Sequence, residues 1–370
     1  MKFEKEFYLS PIIKAVGETC NLRCAYCYYN GNQHEALQIM DESTLDVVLM
    51  RLLEASPKSI RFVWHGGEPT LARIKFYKKV VELQSKYMLP SQECRNSIQT
   101  NGTLITPEWV DFFKEFNFGV GISLDGPEHV HNYARLDAGE KGSFNKVMQG
   151  INYLKAANIH TGAIAVINSY SVKYPDDIFR FFYENNIWLS ANNCESVPED
   201  PESIQKLAVE PMEYAHFLLR LFELWLETDN PKFQIRPLND LVQILTGYKA
   251  QLCKFKGFCY QHITVDTNGD VYPCNDYRKP KYLLGNLIES SFEKILQSSV
   301  ADYYYSGHEQ TLSTCSKCKW VIICKGWCRR TWNGKTGVED IQDLTYCEAL
   351  QLIFSTISSR LNSLGYNTIL

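Results

Sequence analysis

The residues most able to do chemistry are the cysteines. CNLRCAYC, residues 20–27, places Cys20, Cys24 and Cys27 within eight positions, one thiolate short of a closed tetrahedral site. Both structural zinc and ferredoxin-type clusters use four protein ligands, so three in one tight loop suggest a cluster iron left open for another molecule. A zinc loop completed from distant cysteines is the alternative at this point. Eight of the remaining ten cysteines fall between Cys253 and Cys347: Cys253, Cys259, Cys274, Cys315, Cys318, Cys324, Cys328 and Cys347. Eight thiolates suffice for two four-ligand sites, of iron–sulfur or of paired zinc-ribbon type. Cys94 and Cys194 stand alone and read as small buried hydrophobes.

Four polar motifs accompany the cysteines. HGGEP (65–69) carries Gly66 and Gly67, which lack Cβ and let backbone approach a ligand, and Glu68, an acceptor for an ammonium group. QTNGT offers Gln99 and Asn101, SLDGP offers Ser123 and Asp125, and Arg135 follows. These types suit ribose and carboxylate recognition, and also ordinary caps and turns. His65, His129 and His131 read as structural or hydrogen-bonding residues.

Those motifs need elements to position them. Apolar runs of strand length, IIKAV, SIRFVWH, RNSIQT, GVGISL and GAIAVI, alternate with helical patterns at 42–55, 72–87, 107–116, 143–157 and 175–185. That alternation predicts an α/β fold, a partial barrel of about six parallel strands, with ligands at the carboxyl ends. Each motif follows a strand, so four loops share one rim. Residues 197–210 are rich in Pro and Glu and read as a linker or surface insertion. A helix over 211–228 then precedes the second cysteine region. DTNGD between apolar alternations reads as a hairpin turn leading to Cys274. A last amphipathic helix spans 348–362. The expected division is 1–229 and 230–370.

Composition excludes several classes. Over 370 residues the chain is 45% hydrophobic and 22% charged with a net charge of −4, which describes a globular protein without a nucleic-acid footprint. No signal peptide or membrane span is legible, and thirteen cysteines in a cytoplasmic protein point to metal or redox chemistry rather than disulfides.

The spacing of Cys20, Cys24 and Cys27, with an aromatic at Tyr26, resembles the signature of radical S-adenosylmethionine (SAM) enzymes. The later cysteines resemble the SPASM extension found on members that modify peptides and proteins. The resemblance implies three 4Fe-4S clusters. Cys20, Cys24 and Cys27 hold the SAM-binding one; Cys253, Cys259, Cys274 and Cys328 hold one auxiliary cluster, and Cys315, Cys318, Cys324 and Cys347 the other. It also implies SAM contacts from Tyr26, Gly66, Gly67, Glu68, Gln99, Asn101, Ser123, Asp125 and Arg135, with Glu68 beside the amino group. The expected partners are a peptide or protein substrate and an electron donor such as flavodoxin or ferredoxin. Nucleic acid and membrane are not expected partners.

Within this group the layout is similar to the anaerobic sulfatase-maturating enzymes, through GGEPTL, QTNGTLI, LDGP and GDVYPC. Two positions depart from it. Asn275 stands after VYPC where that family has an acidic base, so a base would have to be Asp276 in a shifted loop, and His65 stands where Gln is usual. These departures favour a maturase of ribosomally made peptides that forms an intramolecular crosslink, such as a cyclophane, over oxidation of Cys or Ser to formylglycine. About eleven residues precede strand one, too few for a leader-binding domain. An iron–sulfur electron-transfer protein is the non-enzymatic alternative.

Overall fold

A computed structural model describes residues 9–29, 36–197, 200–257, 259, 262–305, 315–331 and 344–369. Seven strands run parallel: β1 (Ile12–Lys14), β2 (Ser59–His65), β3 (Glu93–Thr100), β4 (Gly119–Ser123), β5 (Gly162–Ile167), β6 (Trp188–Asn193) and β7 (Ile235–Arg236). The helices α1 (Glu42–Ala55), α2 (Arg73–Tyr87), α3 (Pro107–Glu115), α4 (Glu128–Ala134), α5 (Phe144–Ala156) and α6 (Pro175–Glu184) connect them. The expected strands and helices are present within a few residues. β1 stops at Lys14 because the chain turns at Gly17, whose φ of 58° is left-handed. The helix α4 was not legible, since EHVHNYA is one short turn pair without an apolar stripe.

The sheet does not end at β1. The hairpin of β8 (Thr264–Val265) and β9 (Asp270–Tyr272) adds to its free edge, with Ile12 opposite Thr264 and Ile13 opposite Val265 in parallel, and β10 (Gly285–Asn286) pairs with β9. The order is β10-β9-β8-β1-β2-β3-β4-β5-β6-β7. The cysteine-rich half is therefore stitched into the barrel's own sheet.

Side chains alternate across the strands. Trp64 points outward and is fully buried, its ring centroid 5.9 Å from Phe76 and 5.5 Å from Tyr77 of α2, with its indole donating to Asn96 at 2.9 Å. Its neighbour His65 and the paired Lys14 consequently point into the barrel. Near β7, the helix Pro211–Thr228 packs against the terminal helix Leu344–Ser363, burying Leu218, Leu221, Ile353 and Ile357. No described helix is long and apolar enough to cross a membrane. Trp64→Ala should cost about 3–5 kcal/mol in urea unfolding, the usual range for emptying a buried aromatic site; a loss under about 1 kcal/mol would remove this ring from the core.

Candidate active site

The three-cysteine loop is fastened along its whole length. Arg23 N donates to Leu136 O at 2.7 Å and Ala25 N to Ala134 O at 2.8 Å, so the loop lies against the end of α4. Beneath it Tyr26 donates its hydroxyl to Asp125 Oδ2 at 2.5 Å, and Arg135 Nε lies 3.1 Å from the same oxygen. The guanidinium also sits over the Tyr26 ring, 5.3 Å from its centroid. Burial pushes the Cys20 and Cys24 thiols up to about 12, a rise that Glu68 reinforces at Cys20 and that Arg135 opposes at Cys24. Such thiols stay protonated until a cation arrives and then release their protons to it.

Gly66 and Gly67 are required by the same loop. Gly67 N donates to Gly17 O at 2.9 Å and Glu68 N to Thr19 O at 2.8 Å. A Cβ on Gly67 would stand 1.9 Å from Thr19 O, and one on Gly66, at φ +127°, 2.7 Å from Gly17 O. Glu68 is anchored from both neighbouring loops. It is fully buried; Oε1 accepts from Thr70 N (3.0 Å), Thr70 Oγ1 (2.5 Å) and Thr100 Oγ1 (2.6 Å), and Oε2 from Asn101 N (2.7 Å). These bonds tie the GGEP loop to the end of β3, and Oε2, with its single donor, keeps a lone pair for a ligand. Asp125 is bonded to Tyr26, Arg135 and Val166 N (2.9 Å). Asn101 donates to Asn21 Oδ1 at 2.8 Å and lies 3.8 Å from Cys20 Sγ.

Gln99, Ser123 and His65, each half-buried, face the barrel interior, beside the fully buried Lys14. Gln99 donates to Ser123 Oγ at 3.2 Å. His65 Nδ1 accepts from Gly66 N at 2.7 Å, and burial with the adjacent Lys14 pushes its pKa down to about 3. A neutral ring with Nδ1 engaged presents Nε2–H, a single N–H donor such as a glutamine amide would also offer.

The hairpin brings the second cysteine region to this rim. Asn275 donates to Tyr28 Oη at 2.5 Å and accepts from Tyr29 Oη at 3.1 Å, so the residue after Cys274 is held by the two residues after Cys27. Asp276 turns the other way: Arg330 Nη1 is 2.9 Å from Oδ1, while Oδ2 has the Cys274 thiol at 4.0 Å. Arg330 also reaches Glu195 at 3.4 Å. A cavity of about 200 Å³ lies here, lined by Tyr28, Tyr29, Asn275, Asp276, Arg278 and Arg330 among others. Below Tyr29 is Lys14, fully buried, with Nζ 4.1 Å from the ring centroid and no hydrogen-bond acceptor among the described residues. Burial, then Arg278, pushes its pKa well down. Arg330 carries no sequence signal, because its partners Asp276 and Glu195 are over fifty residues away, and Lys14 carries none because its place under Tyr29 depends on how the cysteine loop folds back.

The auxiliary thiols fall into two electrostatic neighbourhoods. Cys274 feels Cys328 and Cys253, and Cys328 feels Cys259 and Cys253; Cys324 feels Cys347, Cys315 and Cys318. Among the described residues no three His, Cys, Asp or Glu side chains converge as a single metal ion requires.

Comparison with known proteins decides the family. Residues 15–182 match the model of the radical SAM superfamily, and 253–319 that of the SPASM iron-sulfur cluster-binding domain. A cysteine-type anaerobic sulfatase-maturating enzyme of Clostridium novyi is 33% identical over 362 residues, covering 95% of this chain and 96% of the relative. The chain belongs to the radical SAM/SPASM enzymes. A serine-type anaerobic sulfatase-maturating enzyme of Bacteroides thetaiotaomicron is 32% identical, covering 91% of this chain and 87% of its own. The solved structure of anSMEcpe with bound AdoMet and Cp18Cys peptide superposes with a TM-score of 0.89 at 30% identity, over 96% of this chain and 98% of that one. As a radical SAM/SPASM enzyme the chain uses a SAM-binding 4Fe-4S cluster and auxiliary clusters, and its homologues act on peptides or proteins.

These findings correct the expected crosslinking activity. Streptococcus suis SuiB, solved with its precursor peptide SuiA, superposes with a TM-score of only 0.64 at 16% identity, a likeness of fold alone. The two departures that had favoured crosslinking lose their weight in the structure. His65 offers the N–H that a glutamine would, and Asn275 leaves Asp276 beside it in the same cavity.

Two outcomes are expected here. Gly67→Ala should keep its circular dichroism but lose SAM binding by at least about tenfold in equilibrium dialysis, because the loop cannot close on Thr19; unchanged affinity would show that the close approach is unnecessary. His65 should remain neutral in ¹⁵N-detected NMR throughout the range in which free histidine titrates, and a midpoint near 6.5 would place its ring in water.

Proposed function

We propose that this enzyme oxidises a cysteine or serine side chain of a sulfatase polypeptide to formylglycine in the cytoplasm. The observation carrying this reading is that Asn275, next to Cys274, is bonded to Tyr28 and Tyr29, next to Cys27. The cavity is thus lined both by residues that follow the three-cysteine loop and by residues that follow Cys274, which supports a substrate site between the two. Whole-length likeness to both cysteine-type and serine-type maturating enzymes supports the substrate class.

Cys20, Cys24 and Cys27 would hold the cluster on which SAM binds, and together these supply a 5'-deoxyadenosyl radical. Gln99, Ser123 and the Gly66–Gly67 backbone would face SAM, while Tyr26, Glu68, Asn101, Asp125 and Arg135 hold the loops that form its walls. Cys253, Cys259, Cys274 and Cys328, and separately Cys315, Cys318, Cys324 and Cys347, would hold the auxiliary clusters. An external one-electron donor completes the system.

The substrate –CH2–XH group must lose a hydrogen atom from carbon, a proton from X and one electron to become C=X; for sulfur, water then replaces it. Asp276 is proposed as the proton acceptor. Arg330 fixes Oδ1 and leaves Oδ2 two residues from Cys274, beside the point where the electron departs. Anaerobically reconstituted enzyme with a cysteine- or serine-containing sulfatase peptide, deuterated at Cβ, should yield deuterated 5'-deoxyadenosine and a hydrazide-reactive aldehyde. Asp276→Asn should retain deuterium transfer while aldehyde formation falls by about 10²–10⁴-fold. Wild-type enzyme that forms no aldehyde from either peptide would overturn the substrate; an unimpaired variant would remove Asp276 as the base.

A further inference from the structure

At the amino-terminal ends of the parallel strands, opposite the SAM loops, lies a groove of about 480 Å³. Arg61 of β2, Arg95 of β3, Arg236 of β7, Lys256 and His262 line it together with Cys253. Among the described residues Glu93 is the only carboxylate lining the groove, and it pairs with Arg95, while Lys256 also feels the buried Asp240. Arg61 and Arg236 are exposed and have no carboxylate at ion-pair distance among the described residues. This concentration of positive charge stands out in a chain whose net charge is −4. Cys253 is also the one exposed cysteine of the thirteen; all others are buried or half-buried.

Cys253 and Cys274 share a thiol neighbourhood but serve opposite ends of it. Cys274 precedes Asn275 and Asp276 in the upper cavity, while Cys253 opens on the basic groove below. A peptide to be oxidised has to enter above, where the SAM loops are. What a charged groove beside a cluster ligand suits instead is a protein that exchanges electrons there.

We propose that this groove docks the acidic face of a small one-electron carrier protein, of flavin or iron–sulfur type, at the Cys253 edge of the auxiliary site. Each substrate oxidised releases one electron beyond the hydrogen atom, and the docked oxidised carrier is reduced by that one electron. Charge complementarity of this kind acts mainly on encounter and is weakened by salt. The inference rests on the auxiliary-cluster assignment and not on which side chain is oxidised.

The test uses full-length reconstituted enzyme and a recombinant bacterial flavodoxin, with binding read by biolayer interferometry at low and high salt. Wild-type enzyme should bind in a salt-sensitive manner. Arg61→Glu combined with Arg236→Glu should weaken binding about tenfold or more, whereas Lys114→Glu on the outer face of α3 should not. Iron content, unfolding temperature and dithionite-driven aldehyde formation should be unchanged in the double variant, which separates this idea from the substrate reading. Salt-insensitive binding, or equal affinity of the double variant, would overturn the docking site. If instead the double variant loses affinity for the sulfatase peptide and keeps it for flavodoxin, the groove is a peptide site and the proposal is wrong.

Discussion

Two residue pairs, Ile12 with Thr264 and Ile13 with Val265, join parts of the chain some 250 positions apart, and the architecture of the site depends on them. Strand β1 delivers the loop of Cys20, Cys24 and Cys27; the hairpin that begins with β8 delivers Cys274. Because both strands lie in one sheet, the separation of the two cysteine sites is set by backbone ladders rather than by a flexible contact between domains. The hydroxyls of Tyr28 and Tyr29 on Asn275 then fix the last turn. A cut near residue 229 would leave β1 with a bare edge, the form of strand most prone to pairing with other chains.

Within the rim, the interior splits into groups that hold the walls and groups that face the space. Glu68 and Asp125 each gather donors from several loops, and a buried carboxylate is tolerable only with such satisfaction. That leaves amides, a hydroxyl, glycine backbone and a neutral imidazole on the inner surface. The charged groups, Asp276 with Arg330 and Arg278, gather instead at the hairpin side of the cavity.

Much of this was legible in the sequence, for identifiable reasons. Strand and helix periodicity survives because apolar side chains of β2 to β5 alternate against one row of helices, and CNLRCAYC and GGEP are contiguous, so their geometry is local. What was not legible depends on partners that only the fold brings together. The sequence supplies no sign that Glu68 is claimed by Thr100 and Asn101, that Lys14 lies under Tyr29, or that Arg330 holds Asp276. The weight placed on Asn275 and His65 failed for the same reason: each was judged by residue type, and the structure shows what each one bonds.

The burial of Cys20 and Cys24 has a consequence for the life of the protein before its clusters arrive. Nucleophilic attack requires thiolate, and thiols held near 12 provide very little of it at neutral pH. Burial thus favours the neutral thiol at Cys20 and Cys24 in the folded chain.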